Sequence, residues 1–177
     1  MGFQGGPTQD EVMAVSLSRL RLGPADQVVD IGCGTGKVAL AMARRAGHVF
    51  AIDRREEAIR HGQKQAAAEG IENVTYLQGE AIELLPTLPH LNGAFIGGSR
   101  DLRSVLEILS KKVEGPVVVN AVLIKTVARA IETMRTLGIF REALHVQIAR
   151  SHEIGGSLMF RPIDPVYIII AECGTCS

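Results

Sequence analysis

Between Val28 and Val38 the chain reads V-V-D-I-G-C-G-T-G-K-V, an apolar strand that runs into a glycine-rich turn and then a helix. A second apolar strand, Val49 to Asp53, follows and ends in a carboxylate. Parallel strands need a crossover between them, so this strand-turn-helix-strand unit points to an α/β sheet whose ligands sit at the carboxyl ends of the strands. The spacing then restricts the ligand. A dinucleotide fingerprint, G-x-G-x-x-G, uses its third glycine to let helix and strand pack closely while the helix N-terminus faces a pyrophosphate. Here the glycines are Gly32, Gly34 and Gly36, Lys37 stands at the dinucleotide position, and Asp30 precedes the turn.

A buried acid beside the turn repels a pyrophosphate and suits a ligand with a free ammonium group and no phosphates. S-adenosyl-L-methionine meets that description, and the spacing resembles motif I of the Rossmann-like methyltransferases. The amides from Gly32 through Cys33, Gly34 and Thr35 to Gly36 open a helix and are placed to donate to the methionine carboxylate. Asp53 suits the ribose, because an ionised carboxylate only accepts and a vicinal diol offers two donors. Its alternative role is to cap the next helix. Asp30 has two readings as well, support of the ligand or a buried acid that satisfies loop amides.

Strands alternate with helical patterns for most of the length, which argues for a parallel sheet covered on both faces. Thr8 to Glu11 reads as a capping box that opens a helix to about Leu20. After it come strand Val28 to Ile31, helix Thr35 to Arg45, strand Val49 to Asp53, helix Glu56 to Glu69, strand Val74 to Gln78 and a short helix Glu80 to Leu85. Strand Gly93 to Ile96, helix Asp101 to Lys111, strand Pro116 to Ala121 and helix Ile124 to Leu137 complete the parallel part. Phe140 to Ile148 and Leu158 to Ile170 have no helix between them and should pair as an antiparallel hairpin around residues 151–157. The expectation is a seven-stranded, Rossmann-like methyltransferase sheet, mostly parallel with a C-terminal antiparallel hairpin, in one domain over 1–177. Residues 1–22 would form an N-terminal lid and helix.

The 177 residues carry 19 basic and 19 acidic side chains, so no net field attracts a nucleic acid. Aromatics are 4% with no tryptophan, too few for base-stacking platforms. No window reaches the ~18 apolar residues of a membrane span, and the first residues lack a secretory pattern. A cytoplasmic protein is expected. Cys33, Cys173 and Cys176 are an odd number and fit a reducing compartment. Cys173 and Cys176 have C-x-x-C spacing without a second ligand pair, and the histidines have no partner at metal-ligand spacing, so no metal is expected.

Gly79, Glu80 and Ala81 end the third strand, where an acceptor and backbone donors can read adenine. Gly97, Gly98 and Ser99 end the fourth, nearest the transferred methyl, without the proline-aromatic platform of base-flipping enzymes. Beside these stand Gly6-Pro7-Thr8 with Glu11-Val12, Val29 to Gly36, Ala51-Ile52-Asp53-Arg54, Ile96 to Ser99, Val117 to Leu123, and Ile148-Ala149-Arg150. Across nearly the whole chain these segments resemble the decarboxylating C15-methyltransferases of cobalamin biosynthesis, which act on precorrin-6B or its cobalt-bearing counterpart. The resemblance implies cofactor contacts at Thr8, Gly32 to Gly36, Asp53 and Ala81, with Arg54 alongside. The chain departs from the group at Asn120, where threonine is common, and at Glu80, where aspartate is.

In that family the methyl goes to C15 and the C12 acetate leaves as carbon dioxide, both driven by the conjugated substrate, with the protein orienting the macrocycle and excluding water. A polycarboxylate substrate needs donors at the mouth. Arg100, Lys125, Arg150, His152 and Arg161 are the candidates, with Ser99 and Asn120 nearby; Arg150 is the favoured clamp. The apolar final hairpin, with Val146, Ile148, Leu158, Met159 and Phe160, points to a homo-oligomer, and the resemblance to a tetramer. Competing readings are an RNA (transfer-RNA adenine) or other small-molecule methyltransferase, and a module that binds the methyl donor without catalysis.

Overall fold

The apolar runs between the helical stretches pair into one seven-stranded sheet, in the order β3-β2-β1-β4-β5-β9-β6. The computed structural model describes residues 8–98 and 100–174. Its first half comprises α1 (Asp10–Leu20), β1 (Gln27–Ile31), α2 (Lys37–Ala43), β2 (His48–Asp53), α3 (Glu56–Ala68), β3 (Val74–Gln78), α4 (Ala81–Leu84) and a 3-10 turn (Leu85–Thr87). Then come β4 (Gly93–Ile96), α5 (Leu102–Lys112), β5 (Gly115–Ala121), α6 (Ile124–Thr136), β6 (Phe140–Val146), β7 (Ala149–Ile154), β8 (Ser157–Pro162) and β9 (Val166–Cys173). Strands β1 to β5 are parallel; β9 runs antiparallel between β5 and β6.

Period-two alternation along the strands divides the interior into two layers. Val29, Ile31, Ile52, Ile96, Val117 and Val119 face Leu102, Val105, Leu106 and Leu109 of α5 and Ala130 and Met134 of α6. Val28, Val49, Ala51, Phe95 and Val118 face the other way, against Val12, Leu17 and Leu20 of α1, Val38, Ala39 and Met42 of α2 and Ile59 of α3. From β1 the chain steps outward to β2 and β3, and from β4 to β5 in the opposite direction. That reversal leaves a crevice at the carboxyl ends of β1 and β4.

Several elements depart from the sequence expectation. The capping box at Thr8 is not made: α1 starts at Asp10 with Gln9 at its N-cap and no side-chain cap. Glu11 instead meets Arg150 at 2.8 Å, while Lys37 binds the Thr8 carbonyl at 3.0 Å and Asp10 at 2.7 Å. Long-range charges have outbid a local cap. Of the N-terminal lid expected before α1, residues 1–7 lie outside the described residues. Helix α2 begins two residues late because Gly36, at φ +80°, still belongs to the turn.

The final hairpin is the larger correction. Its strands pair as expected near the core, with Val146 opposite Val166, but each breaks before the tip. Residues 151–157 are not a connecting loop; β7 and β8 form a separate two-stranded ribbon, from Ala149 opposite Pro162 to Ile154 opposite Ser157. Gly155 and Gly156, at φ +58° and +78°, supply the two left-handed positions of its tight turn. Pro162 and Pro165 lack the amides that would carry the main ladder onward. Val146 and Ile148, expected to be exposed, are half-buried against the α1 side of the core. On the ribbon itself, every residue of which is exposed, the apolar side chains Ile154, Leu158, Met159 and Phe160 face solvent.

Close approach also fixes α3. A Cβ on Gly62 would lie 2.4 Å from the Tyr76 ring of β3, and one on Gly36 would lie 3.0 Å from Gly62 Cα. Alanine at position 62 gains up to about 1 kcal/mol of helix propensity but overpacks at a cost of about 1–3 kcal/mol. Gly62→Ala should therefore lower the urea midpoint; a higher midpoint contradicts the packing described.

Candidate functional site

Most of the crevice wall comes from strand ends and the turns after them, with single side chains added by the helices that follow. The cleft encloses about 620 Å³. Gly32 follows β1, Asp53 ends β2 and Arg54 and Arg55 follow it, Gly79, Glu80 and Ala81 follow β3, and Gly97 and Gly98 follow β4. Ile31, Ile52, Ile82, Ile96 and Val105 make the apolar part. A volume in the range of small-molecule sites, with apolar walls and a few carboxylates, suits a nucleoside. Gly32 holds the centre. At φ +75° it brings the β1 turn against the β4 turn, where a Cβ would lie 3.0 Å from the Gly98 nitrogen.

The glycine turn itself is occupied differently from the sequence expectation. The amides of Gly32 and Cys33 both donate to the Ile52 carbonyl, at 2.8 and 3.0 Å, and Gly36 donates to Cys33 at 2.8 Å. Gly34 donates to Asp53 Oδ2 at 3.0 Å. These four amides tie the turn to β2 and to itself, so they are not open donors for a ligand carboxylate. Thr8, Asp30, Cys33, Gly34, Thr35 and Gly36 do not line the cleft; Gly32, Asp53, Arg54, Gly79, Glu80, Ala81 and Gly97 do.

Asp53 is buried and fully engaged. Oδ1 accepts the Arg55 amide and Nε, and Oδ2 accepts the Gly34 amide and an Arg55 terminal nitrogen, all at 3.0 Å. Burial pushes its pKa up, but the Arg55 side chain, the Arg55 amide and the Gly34 amide outweigh it and hold the carboxyl below its ordinary value. A carboxylate offers about four lone-pair positions, and all four are filled. Asp53 is thus not the side-chain cap of α3, whose N-cap is Arg55. A ribose diol reaches it only when the two guanidinium bonds give way, a one-for-one exchange that leaves the two amide bonds intact. Arg55 was not singled out from sequence, although an acid followed two residues later by arginine is the spacing at which such a fork closes.

Asp30 sits one layer below, fully buried on the face covered by α1, α2 and α3. Neither oxygen meets a donor at full hydrogen-bonding geometry, so the acid does not satisfy the loop amides. Its pKa is raised to about 7, chiefly by burial, against the lowering pull of the Ala39 amide in the first turn of α2 and with a further upward push from the Asp53 charge. Burial and the same two acids also push the Cys33 thiol far up, which keeps it an inert filler.

The substrate candidates scatter. Arg100 lines the cleft and bonds Glu80 at 3.2 Å, beside Asp101, which holds a left-handed φ of +47° at the start of α5. Ser99 lies outside the described residues. Asn120, on β5, accepts the Ser16 hydroxyl at 3.0 Å, and its amide nitrogen is buried without a partner. Arg150 and His152 lie on the exposed ribbon, and Arg150 is neutralised by Glu11, with Gln9 at 3.2 Å. The strand thus carries Arg150, the favoured clamp, to the start of α1, where its guanidinium is paired with an exposed carboxylate. Among the described residues no three metal-ligating side chains gather, and no helix is long and apolar enough to cross a membrane.

A family model described as a precorrin methyltransferase domain matches residues 3–172. The chain is 44% identical to a protein of Methanosarcina acetivorans named "probable cobalt-precorrin-6B C(15)-methyltransferase (decarboxylating)", over 97% of this chain and 96% of that one. Among solved structures it superposes on a precorrin 8W decarboxylase from Methanobacterium thermoautotrophicum with a TM-score of 0.90, at 35% identity over 94% of this chain and 91% of that one. A precorrin-6Y C5,15-methyltransferase from Geobacter metallireducens gives a TM-score of 0.88, at 31% identity over 94% and 90%.

The buried acid has a measurable signature. Its folded-state value lies above the ordinary 3.8, so the native state binds more protons than the unfolded chain between about pH 4 and about pH 7. Asp30 thus costs stability progressively as pH rises through that window and costs a constant amount above it. Asp30→Asn has no such titration, so its stability relative to the wild type should rise from pH 4 to pH 7 in urea denaturation. A difference that stays constant over that range contradicts the environment described.

Proposed function

This chain belongs to the precorrin methyltransferase family, and from that premise we propose that it methylates C15 of precorrin-6B or cobalt-precorrin-6B and removes the C12 acetate carboxyl as carbon dioxide. The donor is S-adenosyl-L-methionine, and the step belongs to cobalamin biosynthesis. The observation that carries this reading is the cleft at the β1–β4 switch point, with an acid at the end of β2, in a chain matched along nearly its whole length by the family model. Bound there, the donor supplies an activated methyl on a sulfonium centre.

The residues present fit that donor. Asp53 accepts the ribose hydroxyls once Arg55 releases it, and Ile52, Ala81 and Ile82 provide apolar walls for adenine beside Glu80. Gly97 and Gly98 leave space at the end of β4, where no Cβ intrudes between donor and acceptor. Among the described lining residues there is no histidine or cysteine, which suits a reaction whose electrons come from the conjugated substrate. The contribution of the protein is alignment and exclusion of water. The same reading extends to a single cytoplasmic domain that assembles as a homotetramer, since Leu158 and Phe160 are 71% and 69% exposed on the ribbon.

Anaerobic incubation with cobalt-precorrin-6B or precorrin-6B and the donor should yield a product that gains one methyl and loses one carbon dioxide, followed by mass spectrometry. Methylation of RNA with every precorrin left intact contradicts the proposal. Asp53→Ala should weaken S-adenosylhomocysteine by about 1–3 kcal/mol in calorimetry, the range for a lost charge-assisted hydrogen bond. Unchanged affinity removes the ribose assignment. Light scattering at micromolar concentration should give a tetramer, and a monomer withdraws that part.

A further inference from the structure

Where β5 leaves the sheet, the chain changes abruptly from core to open surface. Ala121 is buried beside Ile96 and Val105, whereas Val122, Leu123 and Ile124 are 54%, 67% and 65% exposed. These three stand at the same edge as the cleft. Ile96 of β4 is level with Val119 of β5, and carrying that register forward sets Gly98 level with Ala121, so Val122 begins where the β4 turn opens. Ile124 continues the α6 stripe of Val127 and Ile131, which pack on the core, past the end of the sheet.

The local residue choices work against the helix they introduce. Leu123 occupies the N-cap of α6 without a side-chain cap, where serine, threonine, aspartate or asparagine stabilise the first amides. The first turn has no acid and carries Lys125, whose charge opposes the helix dipole. Arg129 follows at the like-charge i+4 spacing. Among the described residues neither Lys125 nor Arg129 has an ion-pair partner. Sequence choices that oppose local stability with no structural gain mark positions kept for a ligand.

We propose that Val122, Leu123 and Ile124 form an apolar platform for the flat face of the tetrapyrrole substrate, with Lys125 and Arg129 receiving its side-chain carboxylates. This rests on the methyl-transfer reading of the adjoining cleft. The platform presents one face of the conjugated ring toward Gly97 and Gly98, and the cations fix which edge enters. Arg150 is paired with Glu11, whereas Lys125 and Arg129 have no ion-pair partner among the described residues and are available as carboxylate donors.

Leu123→Ser tests the platform with a change that improves the cap, so the variant should fold at least as well as the wild type, by thermal melting. The KM for cobalt-precorrin-6B should rise about tenfold or more, as a lost uniform binding contact requires. The dissociation constant of S-adenosylhomocysteine should not change. Lys125→Glu should raise the same KM and reduce its sensitivity to salt. Equilibrium binding of cobyrinic acid, a stable corrin with free carboxylates, should weaken in parallel. Unchanged KM and corrin affinity in Leu123→Ser overturn the platform. So does a KM that rises only because light scattering shows the assembly dissociating, which makes this face a contact between copies. A wild type that binds cobyrinic acid through Leu123 yet never methylates a precorrin retains the platform and overturns the reading of the reaction.

Discussion

Backbone touches backbone where Gly32 meets Gly98, and the site depends on that contact. The two turns that follow β1 and β4 come close enough that a single Cβ at position 32 would stand 3.0 Å from the Gly98 nitrogen. The approach is available because Gly32 adopts φ +75°, a conformation that costs glycine little and other residues more. It sets the floor of the cleft between the ends of β1 and β4, with the ends of β2 and β3 beyond β1, and the amides of the turn bond Ile52 and Asp53. Those amides brace the loop. The turn is a braced scaffold that presents Asp53 at the cleft, and in the proposed reading its carboxylate is the recognising group.

Two acids share this region and have opposite electrostatic fates. Asp53 is held ionised by four hydrogen bonds, two from fixed amides and two from a guanidinium that is one-third exposed and able to leave. Asp30 has no donor at full geometry, and burial raises its pKa to about 7. A second full charge next to Asp53 would be repelled, so a neutral or half-titrated Asp30 suits the ionised Asp53 above it. Position relative to the first turn of α2 and to the cleft decides which acid works on a ligand.

The sheet was largely legible because its signals are local. Strands β3 and β4 fall at the residues their apolar runs predict, and Asp53, Gly79 to Ala81 and Gly97 reach the cleft because strand ends in a parallel sheet converge. What the sequence did not reveal was decided by partners far along the chain. Thr8 and Glu11 have capping-box spacing, but Arg150 claims Glu11 from 139 residues away. Asp30 and Asp53 are both buried, and only the tertiary placement of donors, four on Asp53 and none at full geometry on Asp30, separates them. The ribbon is not distinguishable in the sequence because β-forming residues continue past Ile148, where the alternation of half-buried and exposed positions ends.

The account turns on Asp53 exchanging its guanidinium partner for a ribose. A crystal structure with S-adenosylhomocysteine bound tests this directly. Both ribose hydroxyls should lie within hydrogen-bonding distance, about 2.5–3.0 Å, of the Asp53 carboxylate. The Gly34 and Arg55 amides should remain in place and the Arg55 guanidinium should have swung out. A nucleoside bound elsewhere, with the Asp53–Arg55 fork intact, would contradict the account.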